Sequence, residues 1–397
     1  MKKKAQKNAH VKTGSMSLKK AINSAVVKKK SPKKAQSAPP KRKQETHIPV
    51  TYEQTQGTRS LIGKISRGFL RVIGIMLLLA LLIFAYINLP VKENNDPVEM
   101  GTTFSARYAS DIGLEWKQTY VAMLDDLNMK HIRIPVYWDL VEKEEGIYDF
   151  TDLDWQLERG REKNAKIILA IGRKVPRWPE CFVPGWVGED TAVQQEKLLR
   201  FEEAVVNRYK HDHPEIAYWQ VENEPFLDYG ICPKVDAANL VDSEIAKVRN
   251  IDVSRPIIVT DSGELSSWLN AAKRADVFGT TMYRTVYTER YGYWRYPIGP
   301  NFFKLKQLII KLFAKQNNAI VIELQGEPWL QGPTTGFPVE QQLVSMNAQI
   351  LKDNVAFAKK TGMHEIYVWG VEWWYWMKTV KDNSTLWDQA KNIYTAQ

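Results

Sequence analysis

The chain has 397 residues, 44% of them hydrophobic and 25% charged, with 14 Trp, which is enough for a large core and too much for a small stapled scaffold. Its net charge of +10 is confined to one end: residues 1–71 hold 19 Lys or Arg against Glu45 and Glu53, and the remainder carries −7. An acidic balance argues against phosphate-backbone binding, which clustered Lys and Arg drive, so no nucleic-acid partner is expected.

From Met1 to about Arg59 the chain is rich in Lys, Ser, Ala, Gln and Pro and nearly free of aromatic residues. Such a segment buries too little apolar surface to offset the entropy of ordering, and residues 1–66 are expected to form a disordered basic tail. Val72 to Leu89 then contains no charge. At ~1.5 Å per residue it spans about 27 Å, the thickness of a bilayer core, so residues 67–91 are predicted as a transmembrane helix with the lipid bilayer as partner. A cleaved signal peptide is the rival, but its leader is short, and no Ala-x-Ala-like site follows this stretch. Lys64, Arg67 and Arg71 precede the span and Glu93 and Asp96 follow it. The positive-inside bias then places the tail in the cytoplasm and residues 92–397 outside a cell membrane crossed once.

From Met100 onward eight apolar runs of strand length alternate with helical stretches: Gly101–Ala106, His131–Pro135, Ile167–Ile171, Ile216–Val221, Pro256–Thr260, Val277–Tyr283, Ala319–Leu324 and Glu365–Gly370. Between them Trp116, Tyr120, Leu124 and Leu127, or Leu198, Phe201, Val205 and Tyr209, recur at spacings of three and four and mark amphipathic helices. Eight strand–helix units in about 300 residues predict an α/β fold, a (β/α)8 TIM barrel whose site lies at the C-terminal ends of the strands. A doubly wound open sheet is the alternative fold. Cys181 and Cys232 fall in the external part, in loops placed on one rim of that barrel, and are expected to form a disulfide.

No phosphate-binding glycine loop, G-x-S-x-G elbow, H-E-x-x-H or paired C-x-x-C occurs, and no cofactor or metal is expected. His211 and His213 close a helix on the face opposite a barrel's active site. Two acidic tips stand out instead. The fourth run ends in Gln220-Val221-Glu222-Asn223-Glu224-Pro225 and the seventh in Glu323-Leu324-Gln325-Gly326-Glu327. Strands four and seven face each other across a barrel mouth, and glycosidic cleavage needs such a pair: a protonated acid for the departing oxygen and a carboxylate that attacks or activates water. Trp138, Trp178, Trp329, Trp369 and Trp373 lie at or just beyond run ends, where aromatic faces pack against sugar rings.

Asn223-Glu224-Pro225, Ile322-Glu323-Leu324, Ile132-Arg133-Ile134-Pro135, Tyr283 and Trp369 together resemble clan A of the retaining glycoside hydrolases, over roughly Met100 to the C-terminus. The resemblance is to family-five cellulases and mannanases, and the segment Glu145-Gly146-Ile147-Tyr148-Asp149-Phe150 with Pro176-Arg177-Trp178 is also similar to β-galactosidases. It implies Glu224 as acid/base, Glu323 as nucleophile, Asn223 on the sugar 2-hydroxyl, Arg133 and Tyr283 on the nucleophile's carboxylate, and Trp369 beneath the sugar. Glu222 and Glu327 are neighbouring rivals outside the motif's register. Two positions depart from the family-five pattern: Thr281 stands where His is usual, and Gly172-Arg173-Lys174 follows strand three where His is frequent. The expected function is therefore a membrane-anchored, outward-facing retaining hydrolase of a β-linked oligo- or polysaccharide, with a transglycosylase or a non-catalytic glycan-binding barrel as alternatives.

Overall fold

Near-continuous apolar strands such as Lys166–Ile171, buried at every position but the first, demand cover on both faces. The computed structural model, which describes residues 56–93 and 97–395 with side chains from residue 69, supplies it by closing the strands into a cylinder. The chain divides into two units, Met1–Ser66 and Arg67–Gln397. The strands are β1 (Glu99–Thr103), β2 (His131–Pro135), β3 (Lys166–Ile171), β4 (Ile216–Val221), β5 (Ile257–Asp261), β6 (Val277–Met282), β7 (Thr285–Thr288), β8 (Gly292–Arg295), β9 (Ala319–Gln325) and β10 (Glu365–Trp369). All but β7 and β8 pair in parallel in the closed order β1-β10-β9-β6-β5-β4-β3-β2, the predicted TIM barrel. Strands β7 and β8 form a separate antiparallel hairpin that the sequence reading does not anticipate.

The helices are α1 (Gln56–Ile87), α2 (Ala106–Asp111), α3 (Trp116–Asp125), α4 (Trp138–Val141), α5 (Thr151–Glu162), α6 (Thr191–Tyr209), α7 (Ala237–Ile251), α8 (Leu269–Ala272), α9 (Pro300–Ala314), α10 (Val339–Ser345), α11 (Ala348–Lys359), α12 (Val371–Val380) and α13 (Thr385–Thr395). Their inward faces pack on the strands through Leu124, Leu157, Phe201 and Val205, each fully or nearly fully buried. A smaller cluster of Ile168, Ile258, Ile320, Ile322 and Tyr367 fills the cylinder itself. The first strand starts earlier than expected, at Glu99, and Ala106 belongs to α2 because the Ser105 hydroxyl caps that helix by accepting from Tyr108 N at 3.0 Å.

Within α1, Phe69–Ile87 is long and apolar enough to cross a membrane, and Leu77, Leu78, Leu81 and Leu82 are all exposed. The helix begins at Gln56, ahead of the expected start at 67, so residues 56–66 of the predicted tail are helical; residues 1–55 lie outside the described residues. It ends at Ile87 rather than 91, where Asn88 and Leu89 bond back only three residues and Pro90 has no N–H to continue.

The loops after β3 and β4 are fastened together. A disulfide joins Cys181 to Cys232 with 5.3 Å between Cα atoms, Arg173 Nη1 donates to Pro233 O at 3.0 Å, and Ile231 N donates to Pro179 O at 2.9 Å. Gly230, at φ +90°, lies so close to Glu180 that a Cβ there would sit 2.7 Å from the Glu180 Cβ. Replacing both cysteines by Ser should cost about 2–4 kcal/mol by freeing the unfolded chain. Calorimetry of the variant should show a lowered melting temperature, and identical melting of variant and parent would contradict this bracing role.

Candidate active site

Strand β2 turns Ile132 and Ile134 outward to the helices and Arg133 inward. Its guanidinium is fully buried, and a charge in that position persists only with good partners. It has three: Nε donates to Gln220 Oε1 at 2.7 Å, Nη2 to Asn223 Oδ1 at 2.7 Å, and Nη1 to Glu323 Oε1 at 2.6 Å.

Glu323 reaches that partner through an irregularity in β9. Against β6, Thr280 pairs with Val321 but Thr281 with Glu323, and against β10, Ile366 pairs with Val321 but Val368 with Leu324. One extra residue on β9 breaks the strict alternation, so that Ile322 lies in the interior cluster and Glu323 also meets the interior Arg133. The second carboxylate oxygen accepts from the Tyr283 hydroxyl at 3.1 Å. Burial and the Glu323 charge push that phenol well above its ordinary pKa, which keeps it a donor.

Glu224 sits at the tip after β4 at φ +45°, with Glu222 before it at +55°, both in the left-handed region that costs a non-glycine residue about 1 kcal/mol or more. The turn is held by Asn223 N donating to Lys174 O at 2.6 Å, Glu224 N to Thr260 Oγ1 at 2.8 Å, and Lys174 Nζ to Glu224 O at 2.9 Å. The Glu224 carboxyl receives the Thr281 hydroxyl at 3.0 Å. Burial, followed by the charges of Glu323 and Glu180, raises its pKa well above the carboxyl range. The two carboxyls thus differ in kind: Glu323 is ion-paired to Arg133, whereas burial disfavours a charge on Glu224.

The rival acids are engaged elsewhere. Glu222 Oε1 accepts from the backbone N–H of Arg173 at 2.7 Å and of Lys174 at 3.2 Å, beside Gly172, where a Cβ would come within 2.7 Å of that oxygen. Glu327 Oε1 accepts from Arg177 Nη1 and from Trp369 Nε1, each at 2.6 Å. The Arg177 guanidinium lies 4.1 Å over the Trp369 ring and 3.8 Å over Tyr108. His213 bonds Glu215 at 2.7 Å at the opposite end of the barrel. Glu99, His131 and Glu365 also converge there, but Lys166, Tyr218 and Tyr367 already bond both carboxylates.

Of the remaining aromatic candidates, Trp178 is exposed at the rim and meets Tyr229 edge-on, while Trp329 packs edge-on against Tyr283 at 5.4 Å. Trp138 and Trp373 correct the expectation, because both are fully buried. Trp138 stacks on Phe201 and donates to Glu142 at 2.6 Å, and Trp373 donates to Gln342 at 2.7 Å, so their faces serve the core and not a ligand.

The sequence reading missed Glu180, a third buried carboxyl whose Oε2 accepts from Asn223 Nδ2 at 3.2 Å. Its only signal was its place beside Cys181. Burial pushes its pKa up to about 8 from 4.5, against the opposing pull of Lys174. The folded chain therefore keeps a proton that the unfolded chain releases between those values, and stability falls as pH rises through that window. Glu180→Gln should flatten the decline of melting temperature between about pH 5 and pH 8. An unchanged slope in thermal melts would contradict the burial of this charge.

Residues 91–283 match the family described as Cellulase (glycosyl hydrolase family 5). No curated protein sequence matches the chain. Solved structures similar to it include a β-galactosidase from the Antarctic haloarchaeon Halorubrum lacusprofundi, at 15% identity and TM-score 0.46, covering 68% of this chain and 52% of that one. They also include an exo-β-1,4-mannosidase from Opitutaceae bacterium strain TAV5, at 12% identity and TM-score 0.49, covering 70% and 53%. A third is GH5_18 from Streptomyces cattleya in complex with GlcNAc, at 10% identity and TM-score 0.48, covering 70% and 71%. The chain spans about half the length of the galactosidase and of the mannosidase. By its closed parallel barrel and the cellulase match over residues 91–283, the chain resembles the family-five-like (β/α)8-barrel hydrolases of glycoside hydrolase clan A.

Proposed function

We propose that this protein is a retaining glycosidase of β-linked glycans, anchored in a cell membrane by a span within residues 67–91 and working outside it from the barrel that follows. The observation that carries the reading is the contrast between two carboxyls at one barrel mouth. Glu224 is buried, which raises its pKa against the opposing hydrogen bond from Thr281, and Glu323 is bound by Arg133 and Tyr283. In the first step Glu323 attacks the anomeric carbon while Glu224 gives its proton to the departing glycosidic oxygen. In the second, Glu224, now ionised, takes a proton from a water that attacks the same carbon and releases Glu323. Asn223, fixed by Arg133 and Glu180, is the reader of the sugar 2-hydroxyl, and Trp369, Trp178 and Trp329 are the aromatic surfaces for sugar rings. Lys64, Arg67 and Arg71 before the span support the outward orientation.

Glu224→Gln and Glu323→Gln should each lower kcat on aryl β-glycosides or β-glucan and mannan oligosaccharides by at least ~100-fold. The first product seen by proton NMR should keep the β configuration. Near-normal turnover in both variants would refute the assignment, and an initial α product would refute retention. Thr281→Val has its own signature. The hydroxyl it removes favours the ionised Glu224, so the pKa of Glu224 should rise further and the alkaline limb of kcat/KM should move to higher pH. A shift to lower pH would contradict Glu224 as the acid.

A further inference from the structure

Arg284 to Lys315 contains seven Lys or Arg and the single acid Glu289, although residues 72–397 as a whole carry −7. This basic stretch comprises the hairpin β7–β8 and helix α9. Arg284 and Lys306 are buried, leaving Arg290, Arg295, Lys304, Lys311 and Lys315 exposed.

Exposed apolar residues are interleaved with those charges. On the hairpin Tyr291 is 65% and Trp294 45% exposed, and on α9 Leu308 is 49%, Leu312 64% and Phe313 69% exposed. Positions 304, 308, 311, 312 and 315 recur at helical spacing, so α9 turns one basic and apolar face to solvent while Phe303 and Ile310 face the core. Aromatic rings with Arg beside them, and a helix of Leu, Phe and Lys without acids, are the chemistry of a bilayer's headgroup layer.

The location singles out that partner. Asn301 Nδ2 donates to Tyr86 O at 3.2 Å and to Leu89 O at 3.4 Å, and Asn88 Nδ2 donates to Pro297 O at 3.4 Å. The backbone of Gly299 is so close that a Cβ there would lie 2.4 Å from Ile87 O. Thus the loop joining hairpin to α9 grips the end of the apolar helix at the point where it leaves its membrane-length stretch. A recess beside this junction is lined by Asn88, Leu89, Arg295, Asp353, Phe357 and Lys360.

We infer that the β7–β8 hairpin and the outer face of α9 form a membrane-docking surface that seats the barrel on the anionic phospholipid headgroups of the bilayer crossed by α1. The inference rests on α1 as a membrane span. The barrel is thereby held against the lipid by two attachments, one through the bilayer and one along its surface, and does not hang from a free tether.

The test uses the full chain in nanodiscs of phosphatidylcholine alone or with phosphatidylglycerol, labelled with an environment-sensitive fluorophore at Leu78→Cys, Tyr291→Cys, Leu312→Cys or Val253→Cys. The native cysteines are joined to each other, and Val253, 84% exposed, is the water-facing control. Labels at 78, 291 and 312 should show blue-shifted emission quenched by brominated lipid, while 253 should not. Quenching at 291 and 312 should be at least ~2-fold stronger with the anionic lipid and fall to its neutral-lipid level when Arg290, Arg295, Lys304 and Lys311 are changed to Glu. A quenched label at 78 with 291 and 312 behaving like 253 overturns the docking surface and leaves the span intact. Quenching at 291 without 312 overturns the part assigned to α9. An unquenched label at 78 overturns the span itself, and the docking surface with it.

Discussion

A fully buried guanidinium is the constraint from which the mouth of this barrel follows. Arg133 cannot be left without partners, and the ones it has come from three places: Gln220 on β4, Asn223 on the turn beyond it, and Glu323 on β9. Satisfying that one charge therefore fixes the relative heights of β2, β4 and β9 across the cylinder. Removing any partner leaves a charge stranded in a low-dielectric interior, which is far costlier than losing a surface ion pair.

The same charge separates the surroundings of the two acids. Arg133 lies against Glu323 and reaches the Glu224 turn only indirectly, through Asn223 and through Gln220, which donates to Glu222 O, so the cation is spent on one carboxyl and the other is left to burial. Glu180 deepens the contrast. It adds a third carboxyl beside Asn223, and wherever it loses its own proton its charge disfavours ionisation of Glu224. Crowding of acids in a buried site is how one chain keeps a proton donor and an anion side by side at the same pH. The disulfide between Cys181 and Cys232 belongs to this arrangement, since it ties the loop carrying Glu180 to the loop that follows Glu224.

The contacts of Asn88 and Asn301 connect the apolar helix to the barrel on the side where the β6 strand gives way to hairpin and helix. That end of the barrel is also where Tyr283 and Thr281 reach the carboxyls. The contacts to the apolar helix and those to the two carboxyls thus share one connecting segment, residues 281–301, and the basic and aromatic character of that segment differs from the acidic rest of the domain.

Local signals were legible from the residues alone. Apolar runs alternating with helical periods announced eight strands and their helices, the uncharged stretch after Arg71 announced the long apolar helix, and Glu224 and Glu323 stood out because each ends a run beside a recognisable motif. What the one-dimensional pattern could not carry was orientation. Trp138 and Trp373 lie at run ends like Trp178, yet helices α6 and α10 close over them, through Phe201 and Gln342, and only packing distinguishes a core indole from a rim indole. Glu180 is one acid in a loop until the disulfide and Gly230 press it against Asn223. The extra residue in β9 that brings Glu323 to Arg133 exists only as a register against β6 and β10. Sequence determined the eight barrel strands, the helices between them and the membrane-length apolar helix, because those depend on neighbours along the chain, though not the β7–β8 hairpin. Tertiary structure decided which side chains meet, because a buried charge chooses its partners across the barrel and not along it.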